Sequence, residues 1–253
     1  MTSVSNAAVG AYLAGNAAAK ARHGMNEAIA RLSTGVRAMY GGDAGGASAA
    51  MQIRADGKSA AIAARNIEDG ISFLQAGESL LLELAALNTR LRELRVQDLN
   101  ADTLSAGDEA AISAEEDAVL AAGNLIDKAK FNGADLLGGT VAITYDHDGS
   151  MTTLSADATI TLADTDIATI DGMTTAIQKA LGNMAAGMSA LKGHQATNYA
   201  LAANFEAAAA RIADTDFARS SANLAKFSIL NQSAMAMVSQ ANQAQSAVLA
   251  VLQ

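Results

Sequence analysis

The 253-residue sequence has no cysteine, no proline and no tryptophan. The missing cysteine excludes disulfides, thiol catalysis and Cys-based zinc sites. Average proline usage of about 5% would place roughly a dozen in a chain of this length. Their absence removes the main helix breaker and slow prolyl isomerisation, so long continuous helices are expected. The only aromatics are four Tyr and five Phe, too few for an aromatic-lined pocket or a large compact core. No run approaches 18 uninterrupted apolar residues, so no membrane span is expected. A basic start followed by an apolar run and a cleavage site is also missing, so a conventional signal peptide is not expected. Some export routes leave the N-terminus intact, so this does not fix a cytoplasmic address.

Positive charge is scarce in the middle of the chain. Residues 98–172 hold two basic against fifteen acidic residues, whereas residues 1–40 hold four basic against one acidic. Nucleic-acid binding needs a basic footprint, which this middle lacks. An acidic, solvated face that keeps an assembly soluble is the expected reading.

What the sequence does contain is a pair of alanine-rich apolar stripes at its two ends. Val4, Ala8, Ala11, Ala18, Met25, Ile29, Leu32 and Val36 recur at seven- and three/four-residue intervals. Phe217, Leu224, Phe227, Ala234, Val238, Ala241, Val248 and Leu252 keep the same rhythm. A helix with such a stripe needs a partner surface. Alanine buries little area at about 25 cal/mol per Å², so neither end is expected to be stable alone. This favours an assembly subunit over an enzyme.

The fold class expected is mainly α: a long antiparallel helical rod or coiled coil with a small β-hairpin, its terminal helices paired. Five helical stretches are read. The first runs from about Ser5 to Gly35, with Ser3 or Ser5 as N-cap and Gly35 as stop. Gly41–Gly46 follows as a flexible, glycine-rich break; it lacks the Lys-Ser/Thr of a phosphate loop. A second helix covers about Ala47–Asn100, with Ile67, Ile71, Leu74, Leu80 or Leu81, Leu84, Leu87, Leu91 and Leu94 as its apolar positions. Residues 102–107 turn the chain into a third helix, about Asp108–Lys130, which Phe131-Asn132-Gly133 ends in a tight turn. Residues 141–145 and 158–162 alternate like strands around the turn Asp146–Ser150, giving a hairpin over about 141–162. The fourth helix is placed from near Met173, and the fifth runs to the C-terminus.

Candidate chemistry is thin. His23, His147 and His194 form no zinc-protease pair. Asp146-x-Asp148-Gly149 faintly resembles a calcium loop, but positions one and twelve would be Thr144 and Ser155, which cannot serve. Glu115-Glu116-Asp117 fits a solvated acidic helix face better than an acid/base pair. Asn231-Gln232-Ser233 has the glycosylation triplet but lies within the seam. No catalytic residue, cofactor or metal site is expected.

Several stretches in order resemble bacterial flagellin. Residues 30–37, ARLSTGVR, resemble the family's R-L-S-S/T-G-x-R segment, and residues 65–72, RNIEDGIS, its R-N-A-x-D-G-I-S. Residues 91–97, LRELRVQ, resemble I-R-E-L-A-V-Q, and residues 131–133 match F-N-G. Residues 211–216, RIADTD, resemble R-I-x-D-x-D, and residues 239–243, SQANQ, with Val248-Leu249, resemble A-Q-A-N-Q…V-L. Together they cover about 1–137 and 173–253. Ala244 departs from the family's Q-x-P-Q, the break is Gly-rich where a paired Asp is usual, and the middle of about 35 residues is too short for outer domains or an inserted peptidase.

The resemblance implies a structural subunit that polymerises into the flagellar filament for swimming motility. It implies three parts: residues 1–40 and 215–253 as inner-core helices lining a channel, and residues 41–214 as a rod-like layer carrying the hairpin. The terminal stripes named above would then be the filament-core packing residues. It further implies secretion through the flagellar export apparatus to an extracellular flagellum, and partners comprising other copies, an export chaperone, the filament cap and hook-junction proteins. Arg90, Leu91, Arg92, Glu93 and Leu94 match a segment that makes subunit contacts or is read by an innate immune receptor; both readings stand. Two rivals remain: a hook–filament junction protein, and a non-flagellar coiled-coil adaptor that would form discrete oligomers.

Overall fold

A computed structural model describes residues 2–37, 42–155, 160–163 and 166–251. Five α-helices dominate: α1 (Thr2–Thr34), α2 (Ala44–Asp98), α3 (Ala106–Asp127), α4 (Ile167–Ala213) and α5 (Phe217–Val251). Four short strands lie between α3 and α4: β1 (Lys130–Phe131), β2 (Ala134–Asp135), β3 (Thr140–Thr144) and β4 (Met151–Ser155). By contact density the chain forms two compact units, Met1–Arg54 with Phe205–Gln253, and Ala55–Asn204.

Helix starts are set by short polar caps. Asp43 Oδ1 accepts from the Gly46 amide at 2.8 Å ahead of α2. Asp166 Oδ1 accepts from Thr169 N at 2.7 Å ahead of α4, and Asp216 Oδ1 from Arg219 N at 3.0 Å ahead of α5. Ser105 and Asp108 form a reciprocal capping box at α3. α1 stops at Gly35, whose φ of +72° is the left-handed conformation that glycine adopts without strain.

Three local expectations need correction. The glycine-rich break is partly helical: Gly45 and Gly46 lie in the first turn of α2, because Asp43 supplies the cap that glycine alone lacks. α4 begins at Ile167 rather than near Met173, since Asp166 caps it there. The second hairpin strand is Met151–Ser155, not 158–162. The Asp146–Ser150 turn closes at once, with Tyr145 N donating to Ser150 O at 3.0 Å, and β3 pairs antiparallel with the residues that follow, Thr144 opposite Met151. Residues 158 and 159 lie outside the described residues. Ile160 and Leu162 are buried without being strand residues.

In the Ala55–Asn204 unit, α2 buries an unbroken heptad series: Ala60, Ala63, Ile67, Gly70, Leu74, Gly77, Leu81, Leu84, Asn88 and Leu91. α4 answers with Ile170, Met173, Ile177, Ala180, Met184 and Leu191 on the same three/four spacing. Each fully buried Leu or Ile contributes about 1.5–3 kcal/mol. An 18-residue window of α2 has a mean hydropathy of 1.3, long and apolar enough by composition to cross a membrane. Its apolar face is spent on α4 instead, where Asn88 Nδ2 donates to Ile170 O at 3.0 Å and Thr174 Oγ1 at 2.8 Å.

Asn132 and Gly133, at φ +49° and +85°, form the two-residue turn between β1 and β2. Both positive angles fit the mirror-image turn that matches strand twist. The β3–β4 hairpin buries Ile143 and Leu154 and lies directly on α2, where a Cβ at Gly70 would fall 2.2 Å from Ile143 Cδ1.

Candidate assembly surface

In the unit built from the two chain ends, α1 and α5 pack antiparallel. Arg22 of α1 reaches Met235 Sδ of α5 at 3.6 Å, and Gly24 of α1 lies beneath the ring of Phe227. On α1 the covered positions are Ala11, Ala14, Ala18, Ala21, Gly24, Met25, Ala28 and Leu32; all but Gly24 follow alternating three- and four-residue steps. On α5 they are Ser220, Leu224, Phe227, Asn231, Ala234, Val238, Ala241 and Gln245. This is a coiled-coil seam by spacing, filled with residues too small or too polar to make it strong.

The residues expected on the seam divide accordingly. Ala18 and Ala234 are buried; Ala11, Met25, Leu32, Leu224, Phe227, Val238 and Ala241 are half-buried. Ile29 and Phe217 are exposed, at 46% and 57%. The side chains of Val4, Ala8 and Val248, and all of Leu252, lie outside the described residues. Ala14 and Ala21 fall between the seven-residue steps from Ala11 to Met25, Ala28 takes the place expected of Ile29, and Ser220, Asn231 and Gln245 are polar residues that an apolar stripe passes over.

Beyond the seam both helices leave large apolar side chains in water. Val9, Tyr12 and Leu13 of α1 are 54%, 73% and 62% exposed, and Ile229, Met235 and Met237 of α5 are 63%, 47% and 66% exposed.

Where α1 ends, the chain is stitched to the α4–α5 junction. Val36 bridges Asp214 antiparallel, Arg37 N donates to Ala213 O at 2.7 Å, and Thr215 N donates to Gly35 O at 2.8 Å. Arg54 pairs with Asp214 at 3.0 Å and Glu206 at 3.6 Å.

In the other unit, Leu91 and Leu94 are buried core residues, whereas Arg90, Arg92 and Glu93 are exposed. Arg90 crosses to Glu115 on α3 at 2.6 Å and pairs with Glu93 at 3.0 Å; Arg92 crosses to Asp171 on α4 at 2.7 Å. The hydrogen bond that Arg90 donates to Glu115 is the main cause raising its pKa, as that donated to Asp171 is for Arg92. Of the acidic trio 115–117, Glu116 is buried at 6% exposure, which corrects its reading as solvated. Among the described residues no cluster of three or more His, Asp or Glu could hold a metal ion.

Two family models match. The bacterial flagellin N-terminal helical region covers residues 6–142 and the bacterial flagellin C-terminal helical region covers residues 167–252. The chain belongs to the bacterial flagellin family. It is 33% identical over 248 residues to the flagellin of Halalkalibacterium halodurans, covering 89% of this chain and 91% of that one. It is 30% identical to flagellin FlaB2 of Treponema pallidum, covering 88% and 91% of the two chains. The same identity holds for the flagellar filament 33 kDa core protein of Treponema phagedenis, over 88% and 90%. As a flagellin it is a filament structural subunit, in a short form in which only residues 143–166 separate the family's two helical regions.

Proposed function

We propose that this flagellin polymerises through its α1–α5 unit, with segments 1–40 and 215–253 forming the innermost layer of the filament and 41–214 the layer outside it. The carrying observation is the large apolar surface that unit leaves exposed: the Val9, Tyr12 and Leu13 patch on α1, with Ile229, Met235 and Met237 on α5. A lone subunit leaves this surface in water at a cost that polymerisation removes. The alanine-filled seam contributes little by itself, so ordering of the ends couples to association. Contacts of one patch to a different patch on the next copy do not close, and so extend indefinitely.

A subunit whose ends are weakly held is suited to passing unfolded through an export channel and folding at the growing tip. Secretion through the flagellar export apparatus, helped by a chaperone and completed under a cap beyond a hook-junction protein, is part of the proposal. So is an extracellular address; fractionation of the producing cells tests it, since polymer confined to the periplasm contradicts it.

The polymerisation reading is tested by sedimentation. Wild-type protein above a threshold concentration enters the pellet. Leu13→Asp, on the exposed face of α1, stays in the supernatant with unchanged helical content. Pelleting of Leu13→Asp at the wild-type threshold contradicts the assignment of that face.

A further inference from the structure

A groove of about 390 Å³ in the Ala55–Asn204 unit is not used by anything described so far. Asn66, Asp69, Gly70 and Phe73 of α2 form one side, Phe131 and Asn132 close one end, and β3 forms the other side. Two segments singled out in the sequence, 65–72 and 131–133, meet here from about sixty positions apart. The groove is apolar below and polar above. Phe73 is buried and meets the half-open ring of Phe131 edge-on, at 6.2 Å and 74°. At the rim, the side chains of Asn66, Asp69 and Asn132 make no hydrogen bond or ion pair with the described residues. Three solvent-facing polar groups, one of them a carboxylate, over an aromatic floor complement a long side chain with an aliphatic stem and a cationic head.

Charge identifies where that side chain comes from. The Ala55–Asn204 unit carries nine Lys or Arg against twenty-one Asp or Glu. Copies of so acidic a unit repel one another unless carboxylates at their contacts are matched by cations. Lys58, Arg65, Lys128, Lys179 and Lys192 of the same unit make no ion pair with the described residues. They are cations available to a neighbouring copy, and in a homopolymer that copy is the surface present at highest local concentration.

We propose that this groove is a subunit contact, in which a lysine or arginine side chain of a second copy lies over Phe131 and ends between Asp69, Asn66 and Asn132. The inference rests on the polymerisation reading. It adds a contact on the acidic unit to the one proposed on α1 and α5.

The absence of native cysteine allows a single probe. Ala142→Cys places a thiol at the exposed wall of the groove, and maleimide labelling is timed on monomer and on sedimented polymer. Labelling at least tenfold slower in the polymer is expected. In parallel, Asp69→Lys is expected to raise the monomer concentration left at equilibrium at least tenfold, with Asp69→Asn intermediate. Unfolding midpoints of the monomers check that both variants fold, which the exposure of Asp69 favours. Labelling of the polymer at the monomer rate, or polymerisation of Asp69→Lys at the wild-type concentration, overturns the inference and leaves the polymer reading intact. Failure of the wild type to polymerise overturns both.

Discussion

Phe227 of α5 lies on the bare backbone of Gly24 of α1, so close that a Cβ built at Gly24 would fall 2.6 Å from the ring. Among the described seam positions it is the one aromatic, set among alanines, aliphatics and small polar residues. The ring stacks where it does because position 24 has no side chain. Gly24→Ala is therefore expected to force the ring off its seat and destabilise α1–α5 pairing by roughly 1–3 kcal/mol. Hydrogen exchange of α1 amides in the assembled polymer checks it: the variant loses protection in α1 and α5 while α2 and α4 keep theirs. Equal protection in wild type and variant contradicts the close packing.

The α2–α4 core should respond very differently from its charged exterior. Leu91 is fully buried, and Leu91→Ala is expected to cost about 2–5 kcal/mol. Arg90→Ala, one position earlier, removes only exposed ion pairs with Glu115 and Glu93, and exposed pairs contribute little. Urea unfolding should show a large fall in midpoint for the first and none resolved for the second. A comparable fall in both would mean that the Arg90–Glu115 link holds α3 in place.

Asn88 is a polar residue set in that core, 2% exposed and bonded to Ile170 O and Thr174 Oγ1. Its Nδ2 fixes the axial register of α2 on α4 in a way that Leu or Ala neighbours cannot, since apolar contacts carry no direction. Asn88→Ala is expected to cost about 1–3 kcal/mol. A cysteine pair placed across the two helices should also cross-link in more than one register in the variant. Cross-linking in the wild-type register alone contradicts the pinning role.

Acid should weaken the chain through three helix caps and one hairpin-turn carboxylate. Asp43 is held below the ordinary carboxylate range first by the Gly46 amide, Asp108 by Ser105, Asp166 by Thr169, and Asp146 by His147. A carboxyl group whose pKa is depressed on folding stabilises the fold above its unfolded pKa. That stabilisation is lost as pH falls through the folded value. These four contributions are therefore complete at neutral pH and disappear progressively below about pH 4. Thermal midpoints across that range check it, with Asp43→Asn and Asp108→Asn each expected to flatten the acid limb. A midpoint unchanged down to pH 3 contradicts the capping account.

Much of this architecture was legible because heptad spacing and missing proline constrain helices strongly. Of the α2 positions, Ile67, Leu74, Leu81, Leu84, Leu91 and Leu94 are buried as read, whereas Ile71 and Leu87 are half-buried because Gly70 and Asn88 beside them take the buried positions; the Asn132-Gly133 turn follows from the backbone angles that those two residues tolerate. What was not legible depended on partners that sequence does not display. On α1, Ile29 looked like a seam residue because it is the larger hydrophobe, yet Ala28 takes the covered position and Ile29 faces outward. On α5, Ser220, Asn231 and Gln245 occupy seam positions that hydrophobicity passes over. In the hairpin, Ile160 and Leu162 alternate because both are buried, with Leu162 packed against Gly123, whereas the pairing strand is the blander Met151–Ser155. The groove rim was hidden for a further reason: Asn66 and Asp69 reach Asn132 only through tertiary folding.

The central claim, that the paired chain ends build a filament, is tested most directly by electron microscopy of purified protein concentrated above its assembly threshold. The full chain should form long tubular filaments. Removing residues 1–40 or residues 215–253 should abolish them while leaving the Ala55–Asn204 helices folded. Discrete small oligomers from the full chain, with both ends already resistant to protease, would contradict the account.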